Sequence, residues 1–190
     1  IFFAVLYTGV IHRNVTAATA GSHKITPVMY NYYYQDVAYQ NSVSYLTDPN
    51  PSLDNQYYDA TNGVTWADYL TEQTNTLISQ TLAVADEAQA QGYTISEEDL
   101  ATVDEQIANL ELSAASSGYS IDAYLSQAIG TGSTLETYRE YMELRAMTIA
   151  YQTAHAESLT YTPEEVAAYH EEHRDELDTV SYRTYICSVD

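Results

Sequence analysis

The stretch SIDAYLSQAIGTGSTLETYREYMELRAMTIAY, residues 120–151, contains two helix starts and one helix stop. Ser120 stands where its hydroxyl can accept from a free N–H of a first turn, and IDAYLSQAI follows without a breaker. Gly130 and Gly132 then close that short helix, because glycine enters left-handed backbone at little cost. Thr134 and Thr137 open a longer helix that runs to about Glu157. Its apolar residues fall on two faces, Tyr138, Met142 and Ile149 on one and Leu144, Met147 and Tyr151 on the other. A helix apolar on both sides is packed between neighbours, so this stretch predicts a multi-helix, all-α fold.

The same punctuation recurs outward from it. Thr26 before Pro27 is an N-cap with proline at the first helical position, predicting a helix to about Tyr45. Residues 47–63, TDPNPSLDNQYYDATNG, read as a long polar loop, since Pro49 and Pro51 would break a helix. A second helix is predicted from Thr65 to Gln91, with Trp66, Leu70, Leu77, Val84 and Ala88 on one stripe and Gly92 as its stop. Ser96 with Asp99 resembles a capping box, and Leu100, Val103, Ile107, Leu110 and Ala114 form the apolar face of a helix ending at Gly118. Thr162, Pro163 and Glu165 start a charged helix to about Leu177. In TVSYRTYICSVD, residues 179–190, the β-formers Val180, Tyr182, Thr184, Ile186 and Val189 predict a strand. Such a strand needs a partner from sequence after residue 190 or from another chain.

At 190 residues, 45% of them apolar, the chain fits one domain, or one domain and a fragment of a second. Its formal charge of -21 repels phosphate backbones and argues against a nucleic-acid partner. The opening IFFAVLYTGVI carries no charge but is shorter than the about 20 apolar residues that span a bilayer. It reads as the end of a membrane or signal segment, with the polar HRNVTAATAGSHK as a tether, so that residues 1–18 form a membrane/signal segment and tether. A buried N-terminal strand or helix is the alternative. Cys187 is the one cysteine, which excludes an internal disulfide and suits a protein working outside the cytoplasm.

Four segments, in order, resemble bacterial foldase-chaperones of the SurA and PrsA kind. GSHKITPVMYNYYY, residues 21–34, is similar to their opening, where a lysine-isoleucine-threonine type motif leads into the first helix. LAVADEAQAQGYTISEEDL, 82–100, resembles the next landmark, an alanine-rich helix, a glycine and a capped helix. Residues 114–152 resemble the segment in which a short helix, a glycine-rich turn and a long helix follow one another. YTPEEVAAYHEEHRDEL, 161–177, resembles the helix that hands over to a parvulin-type prolyl isomerase domain. The likeness covers roughly residues 19–182.

The resemblance implies a SurA N-terminal-like helical chaperone domain over 19–178 and the start of a truncated or degenerate parvulin-like domain over 179–190. It implies an extracytoplasmic, membrane-anchored module that holds unfolded or partly folded exported polypeptides in a cleft between helices, with no nucleotide or other cofactor. The sequence departs from that pattern in YRTYICS, where Tyr185 replaces the histidine expected on the first parvulin strand. Prolyl isomerase activity is therefore expected only of a catalytic domain following Asp190. A helical surface protein without client binding is a third reading. The unpaired terminal segments would also allow domain swapping into a homodimer.

No constellation argues for chemistry. HEEH, His170–His173, puts two imidazoles three residues apart on one helix face, but zincins space theirs by four and no third ligand is evident. GTGST, 130–134, lacks the lysine of a phosphate loop and follows a helix instead of a strand. No catalytic or metal-binding residue is assigned.

Tyrosine is the residue type in excess, with 20 in the chain and five between residues 26 and 41. A tyrosine ring gives a large contact area at low entropy cost, with a hydroxyl that stays wet or finds a backbone partner. Such surfaces adhere to many unfolded segments without demanding one shape. The residues expected to line a client-binding hollow are Tyr30, Tyr33, Tyr34, Tyr138 and Tyr141. The competing structural reading has each ring packed between helices with its hydroxyl at the surface.

Overall fold

From the N-terminal side the chain forms a short helix α1 (Val10–Asn14), a hairpin of β1 (Ala18–Ala20) and β2 (His23–Ile25), then α2 (Pro27–Gln40) and α3 (Val43–Leu46). A 3-10 turn at Leu53–Asn55 leads to a second hairpin, β3 (Tyr57–Asp59) and β4 (Val64–Thr65). The helices α4 (Trp66–Ala90), α5 (Glu97–Ser116), α6 (Ile121–Ala128), α7 (Leu135–Ser158), α8 (Pro163–Glu172) and α9 (Arg174–Leu177) complete it. This computed structural model describes residues 9–21, 23–179 and 184. Over those residues the chain is mostly helical, with both hairpins antiparallel.

The long helices begin on hydroxyls, as their sequence predicts. The Thr26 hydroxyl accepts from the Met29 N–H at 3.2 Å, and that of Ser96 from Asp99 N–H at 3.0 Å. Ser120 caps α6 through the Ala123 N–H at 3.3 Å. Thr65 and Thr162 make reciprocal boxes with Asp68 and Glu165. Each cap satisfies a backbone donor that the helix itself leaves unpaired.

Several expectations are corrected in detail. Helix α2 stops at Gln40, short of Tyr45, because Ser42 takes a left-handed φ of 53° and the Asn41 side chain turns back to donate to the Val37 carbonyl at 2.9 Å. Short polar side chains of this kind compete with the helix for its own backbone groups. The loop 47–63 is not structureless: it holds the 3-10 turn, β3 and a cis Asn50–Pro51 bond. On α4 the buried line is Trp66, Leu70, Thr74, Ile78, Leu82, Ala85 and Ala88, whereas Leu77 and Val84 sit half-buried at its edge. Thr74 is tolerated there because its hydroxyl donates to the Leu70 carbonyl at 2.7 Å. The α5 face, by contrast, is as read, with Val103, Ile107 and Ala114 buried.

The run 12–24, read as a tether, carries structure of its own. Ala18 and Ala20 of β1 pack on the main core. Gly9 meets Gly132 in the α6–α7 turn so closely that a Cβ on Gly9 would lie 2.4 Å from the Gly132 Cα. Arg13 seals the contact by donating to the Gly132 carbonyl at 3.2 Å. Among the described residues no helix is long and apolar enough to cross a membrane. Residues 1–8 and the strand expected over 180–189, Thr184 apart, lie outside the described residues.

The main core joins Ile25 of β2, Val28, Tyr32 and Tyr33 of α2, Ile78 and Leu82 of α4, and Tyr141 of α7. A second cluster, Val37, Val43, Trp66 and Leu70, continues it toward the far end of α2. Full burial of a side chain such as Leu70 contributes about 1.5–3 kcal/mol. On α7 every residue from Tyr141 to Thr148 is buried or half-buried, which fits a helix enclosed on several sides. Ile149, however, is exposed. Two compact units divide between Thr153 and Ala154, within α7. In the second, α8 and α9 contain no buried residue, and Val166, Tyr169 and Leu177 are exposed.

Candidate functional site

The consecutive Tyr32 and Tyr33 of α2 reach into the gap beneath α7, where their rings meet those of Tyr138 and Tyr141. Tyr32 stacks on Tyr141 with centroids 5.1 Å apart and meets Tyr138 edge-on at 5.5 Å. Tyr33 approaches Tyr141 edge-on, also at 5.1 Å. Tyr33 and Tyr141 are only 2% and 3% exposed. Both rings are almost wholly enclosed by the helices around them. Their rings fill helix–helix space, a structural role that favours aromatic pairs. Tyr138 is half-buried against the same cluster.

The hydroxyls explain why tyrosine suits this place. The Tyr32 hydroxyl lies 2.9 Å from the Thr137 hydroxyl. Tyr141 donates to the Asp36 carboxylate at 2.5 Å. Arg145 pairs with Asp36 and reaches the Tyr141 oxygen at 3.5 Å. Burial, and then the Asp36 carboxylate, hold the Tyr141 phenol far above its ordinary range. Tyr33 differs, because its buried hydroxyl has no hydrogen-bond partner, Thr81 lying beside it without closing a bond. Burial above all pushes that phenol up to about 12. Tyr33 forms one wall of a small recess, about 210 Å³, shared with Asp36, Thr81, Arg145 and Thr148.

Tyr30 and Tyr34 lie one turn apart on α2 and are half-buried, Tyr30 against the main core and Tyr34 against the second cluster. Burial raises both phenols. Tyr34 also opens into a recess of about 490 Å³ beyond the end of α2, walled by Tyr39, Val43, Leu53, Pro49 and Pro51. Across the break at Asn41–Ser42, where Ser42 takes left-handed backbone, Val43 and Ser44 of α3 line it together with Tyr34, Ala38 and Tyr39 of α2. Tyr39 on the rim is 86% exposed. Tyr45 and Leu46 of α3 are likewise exposed.

The loop behind the recess is pinned by rings. Tyr58 stacks on Tyr69 at 3.8 Å and meets Trp66 edge-on at 5.1 Å. Tyr69 in turn donates to the Asn41 side-chain carbonyl at 3.1 Å. The walls thus present aromatic faces, proline edges, hydroxyls, the Gln35 amide and the Asp48 carboxylate.

Of the five tyrosines expected at a site, the structure brings together Tyr33, Tyr138 and Tyr141, in the core, and leaves only Tyr34 on the recess. Sequence reasoning missed Tyr39, Val43, Leu53 and the two prolines as one surface. A signal existed for Tyr39: the buried Tyr33 and Val37 define one face of α2, and position 39 falls away from it. The prolines announced a broken helix but not what they would face.

The other motifs resolve locally. His170 pairs with Asp178 at 3.0 Å, and His173 stacks on Tyr169 at 4.2 Å. Among the described residues no group of three or more His, Cys, Asp or Glu converges. The GTGST turn joins α6 to α7 and carries the Gly9 contact. Compared with protein-family models, with curated proteins and with solved structures, the chain matches none.

Proposed function

We propose that this chain is a nucleotide-independent holding module for unfolded exported polypeptides, of the foldase-chaperone kind that its sequence resembles, and that it grips them at the Tyr34–Tyr39 recess. The observation that carries this reading is the recess itself, an open hollow of about 490 Å³ whose rim ring, Tyr39, is 86% exposed. Large exposed aromatic and apolar surface beside a concavity is what binding sites present. On this reading the SurA N-terminal-like arrangement is the frame, the module works outside the cytoplasm at the bacterial membrane, and no cofactor takes part.

The test is aggregation of a chemically unfolded client followed by light scattering without ATP. Equimolar and tenfold excess chain should slow it, and Tyr39→Ser with Tyr34→Ser should weaken the effect while the circular dichroism melt stays cooperative. Unchanged aggregation at both ratios with the unsubstituted chain would rule the function out.

A further inference from the structure

The charges around the recess have one sign. Between Lys24 and Arg139 the sequence contains no Lys, Arg or His, but 16 Asp or Glu. Asp48 lines the recess directly. Ser52 and Leu53 line the recess, and Asp54, next along the chain, borders a shallow open groove along α4 whose lining includes Asp68 and Glu72. Elsewhere the carboxylates near cations are already paired: Asp36 with Arg145, Asp104 and Glu143 with Arg139, and Asp86 with His23. Among the described residues no ion pair reaches Asp48, Asp54, Asp68 or Glu72.

From this geometry we infer that the recess and its neighbouring groove select cationic stretches of polypeptide, in which Lys or Arg alternates with apolar residues. The inference rests on the holding function proposed above and names its preferred substrate. Apolar residues of such a stretch would enter between Tyr34, Pro49 and Leu53. Its basic side chains would reach Asp48 in the recess and Asp54, Asp68 and Glu72 along the groove. The exposed Tyr39 adds to the same preference, since a cation is attracted to the face of a tyrosine ring. An acidic segment would meet the like charge of Asp48 in the recess and of Asp54, Asp68 and Glu72 beside it, and complementarity of this kind decides among partners more than it raises affinity.

The experiment is fluorescence anisotropy with three labelled, unstructured peptides. One alternates Lys and Arg with Leu and Phe, the second carries Gln at every basic position, and the third carries Glu. The basic peptide should bind tightest and the Glu peptide weakest, with the difference collapsing in about 0.5 M salt. Each exposed carboxylate–cation contact is worth about threefold. Asp48→Asn with Asp54→Asn should therefore weaken the basic peptide about tenfold and narrow its advantage over the Gln peptide by a similar factor.

Glu97→Gln with Glu98→Gln, at the start of α5 and outside the recess, removes the same charge as a control. An equal loss there would reduce the preference to general electrostatics and overturn the inference. Equal binding of all three peptides would overturn it too, while leaving the holding function standing. If no peptide binds, both fall.

Discussion

Two substitutions that each delete one oxygen from the same ring cluster should move stability in opposite directions. Tyr141→Phe keeps the ring contacts at 5.1 Å with Tyr32 and Tyr33 but removes the hydroxyl that donates to Asp36 at 2.5 Å. A hydrogen bond to a charged group contributes about 1.5–3 kcal/mol, so the expected loss is about 2 kcal/mol. For a domain of this size that lowers Tm by about 6 °C. Tyr33→Phe removes a hydroxyl that is buried without a partner. Such a group carries a desolvation cost of about 1–3 kcal/mol that no bond offsets, so the variant should gain about 1 kcal/mol. Urea titrations of both proteins, followed by far-UV circular dichroism, give the two values directly. If Tyr33→Phe loses as much as Tyr141→Phe, the assignment of partnered and unpartnered hydroxyls is wrong.

The same cluster sets an alkaline limit. The Tyr33 phenol titrates near 10 in an unfolded chain but is raised to about 12 here. Above pH 10 the unfolded state therefore binds fewer protons, and stability should fall as pH rises from about 10 to about 12. Urea midpoints across that window should show the decline, made shallower by Tyr33→Phe. Gly132→Ala would place a Cβ 2.9 Å from the Val28 side chain and 3.0 Å from that of His12, at a φ of 99°. Overpacking in strained backbone should cost about 1–3 kcal/mol, measured as a shift in thermal midpoint. Ser120→Ala removes the cap of the short helix α6 and should cost about 1 kcal/mol by the same measurement.

How far the sequence could be read follows from what each signal encodes. Caps are local: Thr26, Thr65, Ser96, Ser120 and Thr162 fixed helix starts because the bond involved spans three residues. The apolar face of α5 was legible because its residues repeat at helical spacing on one side only. The α4 stripe was displaced because Thr74 looks polar in a string but is buried once its hydroxyl bonds back to Leu70. The two hairpins were missed because strands of two or three residues leave almost no periodic trace. At the site the ambiguity was chemical. Tyr33 and Tyr34 are adjacent and identical, yet one is sealed under α7 and the other opens on a recess. Only the packing of α2 against its neighbours distinguishes them, and that depends on residues a hundred positions away.

The meeting of Gly9 with Gly132 has a mechanical side. Two bare Cα surfaces in contact, latched by the Arg13 side chain, form a cleat. A pull on the chain ahead of Gly9 would load the turn between α6 and α7 first, and the hairpin at 18–25 only after that latch had slipped. The grip on the segment ahead of the hairpin therefore sits on the turn between α6 and α7, at a distance in sequence of more than a hundred residues.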